Sequence, residues 1–516
     1  MRDGVHLQTE LFQPRHDAPQ PTILIRIPYG LRGFSTAAET LAERGYNVVI
    51  QACRGTGKSE GEFEPLVRER DDGLDTLAWI KRQPWYDGRL GTSGPSYLGY
   101  AQWAICDALP KTSAMGIRVS SAEFRSVVFP NGAFHLGLWL SWIQLIVGLR
   151  AYPLRMSWRL ASGGIERRSL RASMTLPLLD ADKIATGARV PFWKDLLESS
   201  AGNEANWEAA DHTHRLGPRT PPTSFVSGWY DFMITQLLRD YQTLVDAGHT
   251  PYLKVGPWVH VSREIQLEGL ADTLAWMNAM LKGDRSGLRD KPVRLYIGGL
   301  DQWRDFDAYP PGIPDTQIWH LHPQNVLSQR PVKASPPDRY TYDPRKPTPS
   351  LGGAMFAFTG AGAMDQAPLE KRNDVLVLTS EPLFSDITVI GQVTATIYAR
   401  ASLPEADIFV KLCDVDEKGV SINICDGIIR KTAADPAEPD DIWKLSLKLH
   451  PTAHCFRRDH RLRIIVASGA HPRYARNTGT SEPFGTTTRL VPVDIEVFHD
   501  PEHPSAVHLP VHEIER

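Results

Sequence analysis

The sequence predicts an α/β domain interrupted by a run of helices and followed by an all-β domain, on three observations. Over the first 110 residues, short apolar runs alternate with helical runs, the pattern of a mostly parallel sheet covered on both faces. From about 120 to 205, helical patterns follow one another with no strand between them. From about 301 onward helices vanish, and strand-like runs recur at intervals that suit a β-sandwich.

The elements follow in order. "VHLQTELF" alternates with period two, and "TILIRI" and "YNVVIQ" are apolar runs of the buried-strand kind. Between the last two, "STAAETLAERG" reads as a helix closing on Gly45. A helix over 69–83 leads to the strand "RLGTS" and the helix "YLGYAQWAICDA". The insertion carries Trp139, Trp142 and Trp158 among Arg-rich turns. Alternation returns with "TSFVSGW", "ITQLLRDYQTLVDAG", "YLKVG", "LADTLAWMNAMLKG" and "VRLYIGG". The strands "TVIGQVTATIYARA", "DIFVKLCDV", "GVSINICDGIIR", "WKLSLKLH" and "HRLRIIVASG" belong to the last domain, with the Pro-rich "PVKASPPDRYTYDPRKPTPS" as connector. The expected boundaries are 1–119 and 206–300 for the α/β domain, 120–205 for the insertion and 301–516 for the all-β domain.

Composition narrows the function. A chain of 516 residues, 42% hydrophobic, is globular and too long for one core. Its 57 basic and 60 acidic residues leave a net charge of −3, which suggests neither nucleic acid nor an anionic membrane as partner. The five cysteines (Cys53, Cys106, Cys413, Cys425, Cys455) are odd in number and form no CxxC. They read as free thiols in a reducing compartment rather than a zinc cluster. The N-terminal "MRDGVHLQTELFQP" has no apolar signal-peptide core. The most apolar stretch, 134–149, is broken by His135, Ser141 and Gln144. It falls short of the about 20 residues that span a bilayer, so it reads as a buried helix. A cytoplasmic protein is expected.

"ACRGTGKS" at 52–59 fits a loose phosphate-loop pattern. In a true phosphate loop a helix starts at the Lys-Ser pair and faces the phosphates with its free N–H groups. Here Gly61 and Pro65 oppose a helix, and the next helix starts too late. No nucleotide is expected.

The chemistry is better sought in "LGTSGPSYLGYAQWAIC" at 90–106, where a serine among small residues joins a strand to a helix. That is the arrangement of a nucleophile elbow. Ser96 is favoured over Ser93, because Pro95 spoils the spacing after Ser93 and the helix begins directly after Ser96. In an α/β-hydrolase the acid and then the histidine follow later strands. Asp231 in "FVSGWYDF" and His260 in "YLKVGPWVH" stand just past consecutive strands. The N–H of Tyr97 is one oxyanion donor. Tyr29, in the loop "PYG", is the other if its hydroxyl turns inward, and a packed surface tyrosine if it does not.

At this point the sequence resembles the CocE/NonD family of cocaine esterase-like acyl hydrolases, related to Xaa-Pro dipeptidyl peptidases and α-amino-acid ester hydrolases. The resemblance runs through "MRDGVHL", "RIPYG" (26–30), "RGTGKSEGEF" (54–63), "GPSYLGYAQW" (94–103), "GWYDF" (228–232), "GPWVH" (256–260), "GGLDQWRDF" (298–306), "DGIIR" (426–430) and "PRYARN" (472–477). It implies an α/β-hydrolase domain, a helical cap and a C-terminal jelly roll. It also implies Ser96 as nucleophile, His260 as general base, Asp231 as orienting acid, and Tyr29 and Tyr97 as the oxyanion hole. The loop at 52–59 becomes structural. The family usually has Asp at the position of Ala52, and its sheet begins with an edge strand ahead of the first one seen here.

The expected function is a serine esterase acting on small-molecule acyl esters through an acyl-enzyme, without metal or organic cofactor. Trp139, Trp142 and Phe232 are candidates for the acyl pocket, and aromatic walls suit a bulky acyl group. A peptidase or amino-acid ester hydrolase needs pocket carboxylates to hold a free amino group, and the cap shows no acidic cluster. A non-catalytic ligand-binding protein is the reading from another class. "DHTH" at 211–214 reads as loop surface and "WHLH" at 319–322 as a strand, so neither is given a metal. The sequence leaves a homodimer open.

Overall fold

The structure is a computed structural model and describes residues 1–15, 18–31, 35–151, 153–198, 204–435 and 439–513. The first domain is built on nine strands: β1 Thr9–Phe12, β2 Gln20–Ile27, β3 Asn47–Ala52, β4 Tyr86–Pro95, β5 Ser113–Arg118, β6 Thr223–Tyr230, β7 Tyr252–Val259, β8 Val293–Ile297 and β9 Gln302–Phe306. They lie in the order β1-β3-β2-β4-β5-β6-β7-β8-β9. The pairings from β3 through β8 are parallel, and only the two edge strands run antiparallel. β2 and β3 are nearly all buried, as a sheet covered on both faces requires.

Two of these strands escaped the sequence reading. β5, "SAMGIR", lacks the β-branched density that marks a strand and is held by neighbours on both sides. β9 extends the first sheet to Phe306, past the expected boundary at 300. The strand order reverses direction at β2 and β4, which are adjacent and parallel. Such a switch point opens a crevice beyond the strands' C-terminal ends, where ligands bind in open α/β sheets.

The helices Leu136–Ala151, Pro153–Ala161, Gly164–Ser173, Ala181–Thr186, Trp193–Glu198 and Glu204–Ala209 fall between β5 and β6 and form the cap. The stretch read as a buried helix is the first of them. It packs Leu138, Trp139, Leu140, Trp142 and Ile143 into one core with Tyr97, Tyr100 and Phe232 of the α/β domain. No helix among the described residues is long and apolar enough to cross a membrane.

The C-terminal domain is a 13-stranded β assembly around one large apolar core. The expected single strand "TVIGQVTATIYARA" is two, Ile387–Gly391 and Thr394–Ala401. The domain is stitched to the first sheet: the Gly298 N–H donates to the Ala453 carbonyl and the Cys455 N–H to the Gly298 carbonyl. At Gly299 (φ +74°) an added Cβ would lie 2.0 Å from the Cys455 carbonyl oxygen, so glycine is required there. The matching motifs "DGIIR" and "PRYARN" serve buried ion pairs. Arg473 meets Asp426 at 2.7 Å and Arg430 meets Asp407 at 2.8 Å. Burial alone would raise the Asp426 carboxyl, but the Arg473 guanidinium and His450 hold it well below the usual range.

Candidate active site

The chain turns sharply between β4 and the helix Tyr97–Trp103, and Ser96 sits at the apex with φ 57° and ψ −123°. Few non-glycine residues hold such a conformation, so the surroundings must enforce it. The Ser96 N–H donates to the Arg118 carbonyl at 2.9 Å, and the Ser96 carbonyl accepts the Ser120 hydroxyl at 2.7 Å. Gly94 (φ +149°) has no room for a Cβ, which would fall 2.4 Å from the Leu98 Cβ. Gly99 is equally confined, since its Cβ would meet the Ser120 Cβ at 2.5 Å. These contacts explain GxSxxG: strand and helix close on Gly94 before the serine and Gly99 after it. Ser93 lies within β4, paired with Gly116 and 2% exposed. It faces no cavity with Ser96.

β6 and β7 pair Tyr230 with Val259, so the next residues leave adjacent strands side by side. They are Asp231 and His260. The His260 Nδ1 lies 2.7 Å from Asp231 Oδ1. Asp231 is fully buried, and its other oxygen accepts the Ser227 hydroxyl at 2.8 Å. The Met233 N–H donates to Oδ1 at 3.2 Å, closing a turn just ahead of the next helix. Ser227 escaped the sequence reading, although four residues before the acid on the same strand was the place to look. The Phe232 ring lies 4.4 Å from the His260 ring, and Phe356 of the C-terminal domain 5.5 Å.

Ser96, Phe232 and Phe356 line one cavity of about 30 Å³ with Pro65, Leu66, Tyr97, Phe124, Leu138, Trp139, Trp142 and Met233. All three residues named for the acyl pocket are therefore brought to Ser96. The space beside Ser96 is narrow. The rings of Trp139 and Trp142 meet edge to face at 5.3 Å and close the space. Phe356 could not be chosen from sequence, since it arrives from a loop about 100 residues beyond His260. Glu166 of the cap accepts the Phe358 and Thr359 N–H groups and holds that loop in place.

Tyr29 follows β2, the neighbour of β4, and so faces the same crevice. Its hydroxyl accepts the Trp142 indole N–H at 3.2 Å. Burial pushes its phenol up to about 12, with Trp142 and Ser96 acting in the opposite direction. Tyr97 heads its helix, where an N–H has no intrahelical acceptor. Its side-chain hydroxyl donates to Glu69 at 2.6 Å and accepts the Leu66 N–H at 2.9 Å, which pins the residue.

The loop at 52–59 carries no helix. Ser59 donates to the Ala52 carbonyl, Gly55 to the Glu60 carbonyl, and Arg54 pairs with Asp72 and Asp3. It delivers Phe63 against Tyr97 and Trp142, both at 6.1 Å. In "DHTH" His214 is exposed, as a surface loop would have it, but His212 is 2% exposed, and its ring lies 4.9 Å from that of Tyr100. Among the described residues no group of three or more His, Cys, Asp and Glu is placed to hold a metal. An acidic pair did escape the sequence reading. Glu64 and Asp195, the latter on the cap, line a cleft of about 190 Å³ on the other side of Trp139, Pro65 and Leu66.

An elbow serine on an α/β sheet under a helical cap, with an Asp-His pair leaving two later adjacent strands, defines the class of serine hydrolases of the α/β-hydrolase fold. Comparison with known families matches residues 3–262 to the X-Pro dipeptidyl-peptidase (S15 family) and 287–508 to the X-Pro dipeptidyl-peptidase C-terminal non-catalytic domain. The chain is 32% identical to the cocaine esterase of Rhodococcus sp. (strain MB1 Bresler), over 99% of this chain and 97% of that protein. A putative serine esterase of Mycobacterium bovis is 24% identical over 99% of this chain and 94% of its own length. The chain belongs to the S15 family, in its cocaine esterase-like branch. Among solved structures, an α-amino acid ester hydrolase superposes with a TM-score of 0.81 at 22% identity, covering 99% of this chain and 95% of that one. An aminopeptidase from a Thaumarchaeota archaeon gives 0.82 at 22%, with the same coverage. Both share the fold.

Proposed function

We propose that the chain cleaves carboxylic esters of small apolar acyl groups through an acyl-enzyme, with Ser96 as nucleophile, His260 as general base and Asp231 as orienting acid. His260 takes the Ser96 proton as the oxygen attacks the ester carbonyl. The Tyr29 hydroxyl and Tyr97 N–H hold the oxyanion. The alcohol leaves with the proton from His260, and water repeats the steps on the acyl-enzyme. Asp231 keeps the Nδ1 proton on the imidazole and balances its charge.

One observation carries the ester reading: no carboxylate lines the cavity beside Ser96, whose walls are aromatic and aliphatic. A free α-amino group would be buried there without a partner, a cost of several kcal/mol. The test compares p-nitrophenyl acetate, phenylglycine methyl ester and a dipeptidyl-Pro anilide. The acetate is expected to give the highest kcat/KM, and the anilide none above background. A second reading, an amino-acid ester hydrolase, is favoured by Glu64 and Asp195 across Trp139. It wins if the phenylglycine ester is preferred and Asp195→Asn removes that preference.

The tight cavity carries a prediction of its own. Acetyl esters should outrun benzoyl esters in kcat/KM, and Trp139→Leu should raise the benzoyl value by about tenfold or more, since a single methylene in an apolar pocket is worth at least about that much. Unchanged relative rates would remove Trp139 from the acyl pocket.

A further inference from the structure

Trp142 touches both residues assigned to the oxyanion hole, at the Tyr29 hydroxyl and the Tyr97 ring. Its indole N–H donates to the Tyr29 hydroxyl oxygen at 3.2 Å, and its ring stacks on Tyr97 at 6.2 Å with 13° between planes. Trp142 is itself held on several sides: Trp139 lies at 5.3 Å, and Phe63 and Phe192 each at 6.1 Å. Only 8% of it is exposed.

We infer that Trp142 is a positioning residue of the oxyanion hole, which aims the Tyr29 hydroxyl proton at the Ser96 side and makes the hole depend on the seating of the cap. The inference rests on the proposed roles of Ser96, Tyr29 and Tyr97. A phenol oxygen has one proton to give and lone pairs to accept with, whereas an indole N–H only donates. With Trp142 already donating to it, Tyr29 cannot direct its own proton back at that nitrogen. The proton is left to turn toward the crevice beyond the ends of the adjacent strands β2 and β4, the side on which Ser96 sits. A donor on the phenol oxygen also polarises the O–H and strengthens it as a donor. The opposing influence of Trp142 and Ser96 on the buried Tyr29 phenol is in the same sense.

The arrangement gives the cap a catalytic consequence. The helix Leu136–Ala151 carries Trp142, and Tyr29 and Tyr97 belong to the α/β domain beneath it. A shift of that helix would release the Tyr29 hydroxyl and the face of Tyr97 together. The Tyr29 half of the hole is then aimed only with the cap seated, and preorganisation of this kind is what makes such donors effective.

The test is a double-mutant cycle in p-nitrophenyl acetate hydrolysis. Trp142→Phe keeps an aromatic wall and removes the N–H. It is expected to lower kcat about tenfold with KM within about twofold, since one hydrogen bond felt in the transition state is worth about a factor of ten. Tyr29→Phe is expected to lower kcat about 10²-fold. In the Tyr29→Phe background, Trp142→Phe should cost less than about twofold more, because its target hydroxyl is gone. Equal losses in both backgrounds, or a change in KM alone, would make Trp142 a pocket wall and overturn the inference. If Tyr29→Phe retains full kcat, the assignment of Tyr29 as donor fails first, while Ser96 labelling by a fluorophosphonate still reports on the nucleophile separately. Should Trp142→Phe not fold, benzothienylalanine at position 142, with sulfur in place of N–H in the same ring shape, carries the same comparison.

Discussion

Ser96→Ala is expected to lower kcat toward an aryl ester by about 10⁶-fold and to abolish covalent labelling by a fluorophosphonate, with thermal unfolding unchanged. The size follows from removing the nucleophile of a unit whose members act together. Ser93→Ala is the control: that residue sits inside β4, 2% exposed, and should retain both labelling and rate. Asp231→Ala should cost less, about 10⁴-fold, because the serine and base remain and only the imidazole's proton position and charge balance are lost. It also leaves the Ser227 hydroxyl and Met233 N–H without their acceptor, so a modest fall in stability should accompany it. Labelling that survives in Ser96→Ala but disappears in Ser93→Ala would move the elbow. A folded wild-type protein that takes no label would return the binding reading to the front.

The second large effect is on stability in acid. Burial, followed by the positive charge of Arg473, Arg215 and Arg476 respectively, lowers His135, His212 and His471 to about 3. In the unfolded chain they titrate near 6.5. Below that pH the unfolded state binds protons that the folded state refuses, so stability is lost as pH falls from about 6.5 toward 3. Three such groups give a slope of up to about 4 kcal/mol per pH unit. Asp240, raised to about 6 by burial, and Glu69, raised for the same reason, take protons in the folded state and offset part of it. Against a total stability of about 5–15 kcal/mol, the net loss by about pH 4 should be a large share of the whole. Urea midpoints at pH 7.5, 6.5, 5.5 and 4.5 measure the slope. His212→Phe, which replaces a ring with no hydrogen-bond partner by one that needs none, should flatten it by about a third. A midpoint constant across that range would mean that these histidines are not neutral in the folded state.

Legibility from sequence followed the range of the cause. "TILIRI" and "YNVVIQ" became β2 and β3 because an apolar run of strand length has few alternatives. The turn at Ser96 was legible because Gly94 answers to a contact with Leu98, four residues on, and Gly99 stands within the same short motif. β5 was not, since its strand character comes from β4 and β6 on either side rather than from "SAMGIR" itself. His212 looked like loop surface because nothing local shows that the Tyr100 ring will cover it. The cleft that Asp195 shares with Glu64 left no local trace, because the two lie 131 positions apart.

By itself the sequence determined the α/β order, the helical insertion, the β-rich third part and the three residues put forward for the chemistry. Each leaves a periodicity or a motif of about ten residues, and local sterics are enough to produce it. Only the tertiary structure decided how tightly the rings close over Ser96, that Phe356 completes the wall, that Ser227 braces Asp231, and that Trp142 bonds Tyr29. Those contacts join segments that no local pattern relates, through strand order and the register of β6 on β7. Which atoms meet is fixed when the layers pack, because a close-packed interior leaves each side chain little choice of neighbour.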